Sequence, residues 1–247
     1  MSFSAEGVVA ENIARAPLQL FPFPHIYVRD VFPPDFYIDL QHHLPPPDLL
    51  VPIQQARGVR GYPQRFVFEL SSEKLAAVPE PYRGFWAALA GWMVSGGFAQ
   101  VVLDKFRAVI EARFKHQQVE FGDEALLVND HTHYSLGPHT DKQKKVVSVL
   151  FYLPRDNKLE KHGTSLYVPS TPGFTCKGGP HYPFDGFERV ATMPFLPNTM
   201  FAFAKTDNSF HGVEPIADAD VSRYLLLYDL QIKSPGFRLQ ERPCGPS

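Results

Sequence analysis

The chain has 247 residues, of which 44% are hydrophobic, 20% are charged and 24 are prolines. This length and composition suit one folded domain with a sizeable core, and the many prolines favour loops and short elements over a helical bundle. The formal net charge of -2 excludes a strongly basic protein, so we expect neither a nucleic-acid partner nor an anionic membrane surface.

The cysteines and the N-terminus give no sign of an exported or membrane protein. Cys176 and Cys244 are too few for a disulfide framework or a cysteine-rich zinc site. The stretch MSFSAEGVVAENIARAPLQL lacks the charged and apolar regions of a signal peptide, and no apolar run approaches the roughly 20 residues that span a bilayer. We therefore expect a cytoplasmic protein, and the sequence carries no indication of its oligomeric state.

The first half of the chain alternates between strand and helix patterns. FPHIYVRDVFPPDFYIDLQHHLP predicts a short strand and then a short helix that begins at Pro33 and Pro34, where a missing N–H costs little. PQRFVFEL, residues 63–70, predicts another strand. Between residues 71 and about 114, apolar residues recur at three- and four-residue spacing, which predicts helices.

After Gly122 the pattern changes to short segments rich in Val, Leu, Tyr and Phe. Turn residues separate these segments, which are EALLVND, KVVSVLFYL, TSLYVP, ERVATMPF, TMFAFAK and SRYLLLYDLQI. Several are apolar on both faces, as strands in the middle of a sandwich must be. We predict a mainly β single domain with a strand and helix layer (1–120), a double-stranded β-helix or jelly-roll core (121–234) and a tail (235–247).

The segment YSLGPHTDKQKK contains a His-x-Asp pair, His139 and Asp141. Residues i and i+2 on a strand point the same way, so the two side chains can enter one cavity. A third ligand is available in His211, which precedes Gly212, where glycine permits close backbone approach. Two histidines and one carboxylate form the site of non-heme Fe(II) oxygenases, which leaves room for a bidentate cosubstrate and dioxygen. An ordinary strand end and loop are the alternative.

Arg223 lies twelve residues after His211, at the start of the apolar segment RYLLLYDLQI. A charge at the entry of an apolar strand must be paired. Two partners remain open at this point. One is Asp229, six residues further along the chain. The other is a bound dicarboxylate, because a guanidinium binds a carboxylate through two parallel hydrogen bonds.

Two other features have competing explanations. His131 and His133 are spaced for a cupin-type site, but no glutamate follows within five residues. The run KQKK, residues 142–145, either meets an acidic substrate at a cavity mouth or forms a solvated turn. The sequence contains no P-loop, dinucleotide fingerprint or Gly-x-Ser-x-Gly elbow.

The order of His-x-Asp, a distant His and then Arg resembles the 2-oxoglutarate and Fe(II)-dependent oxygenases, close to the prolyl 4-hydroxylase-like branch. The resemblance covers roughly residues 121–234, with YSLGPHTD, FYLP, PNTMFAFAKTDNSFHGVEPI and RYLLLYD similar to bacterial members. It implies that His139, Asp141 and His211 bind Fe(II). It also implies that Arg223 binds the distal carboxylate of 2-oxoglutarate.

The same resemblance implies further pocket residues. Tyr152, in FYLP, is expected to bind the distal carboxylate as well, because Leu225 stands where other branches carry a serine. Asn129 and Tyr134 are candidates for lining the pocket, with turn chemistry as the alternative.

The implied function is hydroxylation of an unactivated C–H bond with O2 and 2-oxoglutarate, releasing succinate and CO2. A small molecule or amino-acid-like compound is the expected substrate. Two alternatives do without Arg223: a jelly-roll metal-binding protein with no turnover, and a cupin-type dioxygenase that does not use 2-oxoglutarate.

Overall fold

The computed structural model describes residues 4–94, 96–115 and 117–233. In these ranges the helices are α1 (Ala5–Arg15), α2 (Pro34–His42), α3 (Ile53–Arg57), α4 (Ser72–Ala76), α5 (Tyr82–Met93), α6 (Phe98–Lys105) and α7 (Arg107–Phe114). The strands are β1 (His25–Arg29), β2 (Val51–Pro52), β3 (Arg65–Glu69), β4 (Phe121–His131), β5 (Leu136–His139), β6 (Lys145–Tyr152), β7 (Thr164–Pro169), β8 (Phe187–Met193), β9 (Thr199–Ala204), β10 (His211–Val213) and β11 (Ser222–Ile232).

The strands form two antiparallel sheets. The larger sheet has the order β1-β9-β6-β11-β4-β3-β2, and the smaller has the order β5-β10-β7-β8. One apolar cluster joins Phe201 and Leu225 of the larger sheet to Leu166 of the smaller, so the two sheets pack face to face. The predicted mainly β, jelly-roll architecture is confirmed.

The helices cover the outer face of the larger sheet. Neighbouring strand residues point to opposite faces, so Phe151 and Tyr228 pack in the cluster that contains the helix residues Trp86 and Phe98. The ring of Phe98 lies 4.8 Å from that of Tyr228, edge to face. Burial of each such aromatic side chain contributes about 1.5–3 kcal/mol, and it supports β6 and β11 from behind.

The segment predicted as an N-terminal layer also extends the larger sheet. β1 pairs with β9, and β3 pairs with β4. The strand predicted over residues 63–70 is β3, and its first residue, Arg65, lies directly opposite Asp130 of β4. The N-terminal segment therefore reaches the inside of the jelly roll as well as its outer face.

The structure bears on two expectations from the sequence, one about membrane-spanning helices and one about the cysteines. No single helix in the described ranges is long and apolar enough to cross a membrane; α5 and α6 reach that length only as a pair bent by 44°. Cys176, which was expected to belong to no disulfide framework, is disulfide-bonded. The other cysteine, Cys244, lies outside the described residues.

Candidate metal centre

The three predicted metal ligands come together between the sheets. His139 ends β5, Asp141 follows two residues later, and His211 begins β10 directly opposite His139. One ligand atom from each residue lies within 4.8 Å of the other two, and all three residues are buried. Two imidazoles and one carboxylate on one side of a site suit Fe(II) and similar divalent ions.

Backbone carbonyls orient both imidazoles. His139 Nδ1 lies 3.0 Å from Gly137 O, and His211 Nδ1 lies 3.0 Å from Ser209 O. Because a carbonyl oxygen only accepts, each Nδ1 carries the hydrogen and each Nε2 keeps its lone pair for a metal. Burial lowers the pKa of both rings, that of His139 well below its ordinary value. Neutral rings are the form that binds metal.

Asp141 has one partner on each carboxylate oxygen. Lys145 Nζ lies 3.2 Å from Oδ1, and Ser148 Oγ donates to Oδ2 at 2.8 Å. Burial opposes ionisation, but the Lys145 ammonium, followed by the two neighbouring histidines, holds the pKa of Asp141 well below its usual range. Asp141 is therefore a carboxylate, and its existing contacts restrict its rotation.

Asp229 completes this group behind the candidate metal ligand. It lies 2.9 Å from Lys145 Nζ and accepts from Ser148 Oγ at 2.8 Å. Burial raises the pKa of Asp229, with Lys145 opposing that rise. Ser148 has one hydrogen to share between the two carboxylates. Because the pKa of Asp229 is raised and that of Asp141 is lowered, Asp229 takes up a proton first on acidification. The proposed ion pair between Asp229 and Arg223 is wrong.

Arg223 is fully buried and enters the space between the sheets from β11. Its Nη1 donates to Asp130 Oδ2 and its Nε donates to His162 O, both at 2.7 Å. Its guanidinium also lies 4.5 Å from the ring centre of Phe195. Its Nη2 has no hydrogen-bond partner in the described part of the chain. A buried, charged donor left unpaired costs at least about 1–3 kcal/mol, so this nitrogen fits an anionic ligand.

A cavity of about 90 Å³ is lined by both Arg223 and the three candidate ligands. Lys145, Ser148 and Thr164 add polar groups to its wall, and Leu150, Leu225 and Leu227 add apolar ones. At roughly 10–15 Å³ for each water-sized position, this space suits a ligand of several non-hydrogen atoms. A larger cavity of about 720 Å³ lies near Tyr82 and Tyr224, but none of the candidate ligands lines it.

Glycines allow the chain to approach closely around the ligands. A Cβ on Gly212 would lie 2.4 Å from Leu136 O, so the prediction of a close backbone approach next to His211 is confirmed. Gly178 has a φ of +121°, and a Cβ there would lie 2.1 Å from Asp141 O. Side chains at either position would displace the segments that carry the ligands.

The structure gives Tyr152 a different role from the one predicted. Its hydroxyl donates to Thr164 Oγ1 at 2.8 Å and accepts from Thr164 N at 3.2 Å. Burial raises the pKa of Tyr152 to about 12, so the hydroxyl keeps its hydrogen. Thr164 lines the cavity, whereas Tyr152 does not. Direct binding of a ligand by Tyr152 is therefore corrected to support of Thr164.

Asn129 is on the wrong face of its strand for the predicted role. It lies opposite Tyr224 on the helix-covered side and accepts from Ser222 Oγ at 3.0 Å. Because side chains alternate along a strand, the next residue, Asp130, points inward and contacts Arg223. Of this pair, Asp130 is the residue on the inner side of the sheet, where it contacts Arg223.

Tyr134 is fully buried next to the arginines. The guanidinium of Arg65 lies 4.4 Å from the centre of its ring. Its hydroxyl has no hydrogen-bond partner among the residues that the structure describes. Tyr134 does not line the cavity, so its part in ligand binding stays a prediction.

Of the other histidines discussed, two lie away from the candidate metal ligands and one contacts them. His131 packs against Phe66, with ring centres 4.9 Å apart, and neither it nor His133 joins the candidate metal cluster. His181 was missed by the sequence reasoning. Its ring centre lies 4.3 Å from that of His139, and its Nδ1 bonds the hydroxyl of Tyr62. It belongs to the long loop between β7 and β8, where no spacing pattern pointed to it.

In the KQKK turn two lysines face solvent and one faces the candidate metal ligand Asp141. Lys142 and Lys144 are exposed, as the solvated-turn explanation predicted. Lys145 instead turns inward to Asp141 and Asp229. Lys145 lies four residues after Asp141, and the tight turn between them was the available sequence signal.

No protein-family model matches the sequence, and no curated protein matches it. Solved structures share the fold. Among them is a Pseudomonas putida prolyl-4-hydroxylase, at 15% identity and a TM-score of 0.50 over 94% of this chain and 100% of that one. Another is SnoK, a non-heme alpha ketoglutarate dependent carbocyclase from nogalamycin biosynthesis, at 11% identity and a TM-score of 0.51 over 100% of this chain and 94% of that one. The predicted resemblance is confirmed at the level of the fold.

Proposed function

We propose that this protein is a 2-oxoglutarate- and Fe(II)-dependent dioxygenase that hydroxylates an unactivated C–H bond. The observation that carries the proposal is the unpartnered Nη2 of Arg223, whose side chain lines the same cavity as His139, Asp141 and His211. The donor set alone suits several divalent metals. A buried guanidinium nitrogen without a hydrogen-bond partner in the described ranges favours, in addition, a ligand that carries a carboxylate away from the metal.

Different residues would bind the metal and the distal carboxylate of the cosubstrate. His139, Asp141 and His211 would hold iron, while Arg223 and the Thr164 hydroxyl would hold the distal carboxylate of 2-oxoglutarate. Bound iron would supply O2 activation: one oxygen atom would go to succinate as CO2 leaves, and the other would be inserted into a C–H bond to give the hydroxylated product. The leucines that line the cavity keep bulk water from the oxidising centre.

The substrate is proposed on separate grounds. A five-carbon diacid would fill a cavity of about 90 Å³, so the primary substrate would lie outside it. The names of the two similar structures point to different reactions, prolyl hydroxylation and carbocycle formation. We favour a small-molecule or amino-acid-like substrate, because the formal net charge of -2 offers no basic surface for a polymer. Cytoplasmic location stays a prediction.

Succinate release tests the proposal. The purified protein is supplied with Fe(II), 2-oxoglutarate and O2 together, and then with each one removed. We expect succinate only with all three present, and loss of release in His211→Ala. His131→Ala is the matched control, because that histidine is outside the candidate cluster. Metal binding without 2-oxoglutarate binding under anaerobic conditions would instead favour a metal-binding protein with no turnover.

A further inference from the structure

Three charged side chains form a row across three neighbouring strands of the larger sheet. Arg65 of β3 and Arg223 of β11 both lie directly opposite Asp130 of β4. The side chains of Asp130 and Arg223 are 0% and 1% exposed, and that of Arg65 is 16% exposed. The row is therefore almost completely removed from water.

Asp130 divides its two oxygens unequally between the two arginines. Arg65 binds it side-on, with Nε 2.6 Å from Oδ1 and Nη2 2.9 Å from Oδ2. Arg223 makes one contact, from Nη1 to Oδ2 at 2.7 Å. Because the Arg65 guanidinium faces both oxygens of Asp130 at once, Arg223 reaches only one of them, through Nη1.

The row also carries a net positive charge. Guanidinium groups stay protonated in proteins, so two positive charges face the one carboxylate of Asp130. No other acidic side chain in the described ranges forms an ion pair with either arginine. One arginine alone would be neutralised by Asp130, so the surplus charge comes from having both.

We propose that Arg65 is a positioning residue that selects a dicarboxylate cosubstrate. By binding Asp130 side-on, it prevents Asp130 from binding Arg223 with both oxygens. It thereby keeps Arg223 Nη2 and one positive charge available for a distal carboxylate. This inference rests on the proposed function and adds to it a residue from outside the predicted jelly-roll core.

The test compares two ligands that differ only at the distal end. 2-Oxoglutarate has the second carboxylate, and 2-oxobutanoate lacks it. Each is titrated anaerobically by calorimetry into the Mn(II)-loaded protein. In Arg65→Met we expect binding of 2-oxoglutarate to weaken by about 10- to 100-fold, the worth of one charged hydrogen bond. Binding of 2-oxobutanoate should change by less than about 2-fold, because its metal-binding end is untouched.

Two further variants make the comparison specific. Arg65→Lys keeps the charge but cannot bind side-on, so we expect a loss of 2-oxoglutarate affinity that lies between the parent and Arg65→Met. Arg57→Met is the matched control, since Arg57 pairs with Glu69 and Glu124 at 2.8 and 2.9 Å and does not line the cavity. Its affinity for both ligands should equal that of the parent.

The outcomes separate the inference from the function on which it rests. Equal weakening of both ligands, or an unchanged preference for 2-oxoglutarate, would overturn the role of Arg65. If Arg65→Met does not fold, the preference measured for Arg65→Lys decides between these results. A parent protein that binds neither ligand would overturn the proposed function and this inference together.

Discussion

Lys145 offers the sharpest test of the charges behind the candidate metal centre. Lys145→Met keeps the length of the side chain and removes the ammonium that contacts Asp141 and Asp229 at 3.2 and 2.9 Å. Breaking a buried pair by removing one partner costs about 3–5 kcal/mol. The Lys145 side chain is 20% exposed, so we expect about 3 kcal/mol. For a protein of this size, that lowers the Tm of the metal-free protein by roughly 6–12 °C.

Metal should reverse part of this loss. A divalent ion bound at Asp141 places two positive charges beside the carboxylates that Lys145 normally neutralises. Saturating Mn(II) should therefore raise the Tm of Lys145→Met by more than it raises the Tm of the parent. The measurement is thermal unfolding by circular dichroism, after chelator treatment and again with metal. Lys144→Met is the control, because that neighbour in the same turn is exposed and forms no ion pair in the described ranges.

Two results would refute this reasoning. An unchanged Tm without metal would mean that solvent already screens the two carboxylates. An equal loss of Tm with and without metal would mean that Lys145 contributes through packing of its aliphatic stem, with no part in charge compensation.

Further expectations follow from the same site. His211→Ala should lose stoichiometric Fe(II), measured by metal analysis, and full retention would remove His211 from the ligand set. Arg223→Leu should raise the 2-oxoglutarate concentration for half-maximal succinate release by about 10- to 100-fold, while metal content stays the same. Burial lowers the pKa of His139 and His211 from the ordinary 6.5, so below that pH the unfolded state binds more protons. The metal-free protein should lose stability to urea as pH falls from about 6.5, and His139→Gln should reduce that slope.

Local spacing predicted two of the candidate metal ligands but not their surroundings. The i, i+2 rule placed His139 and Asp141 on one side of the chain, and the structure brings His211 to them. Asp229 was left open as a partner for Arg223, and both residues do face inward from β11. Six residues of extended strand separate them by roughly 20 Å, however, so sharing a face did not bring them into contact.

Whether the other residues reach the site depends on strand register, and a local sequence pattern does not determine register. Asn129 and Asp130 are adjacent, and only the pairing of β4 with β11 decides which of them points toward Arg223. Arg65 is 65 residues from Asp130 along the chain. Its role arises because β3 joins the larger sheet, whereas the sequence placed that strand in a separate layer.

The position of β3 has a consequence for the smallest portion of the chain that can work as an enzyme. A fragment beginning at residue 121 would keep β4 to β11, with the three candidate ligands and Arg223. It would lack Arg65, so Asp130 would be free to bind Arg223 with both oxygens and to cancel its charge. We expect such a fragment, if folded, to hold metal and yet discriminate poorly between mono- and dicarboxylates. The unit that would carry the proposed activity therefore extends beyond the jelly roll, and we expect transplanting the core alone into another protein to transfer the candidate metal site without its selectivity.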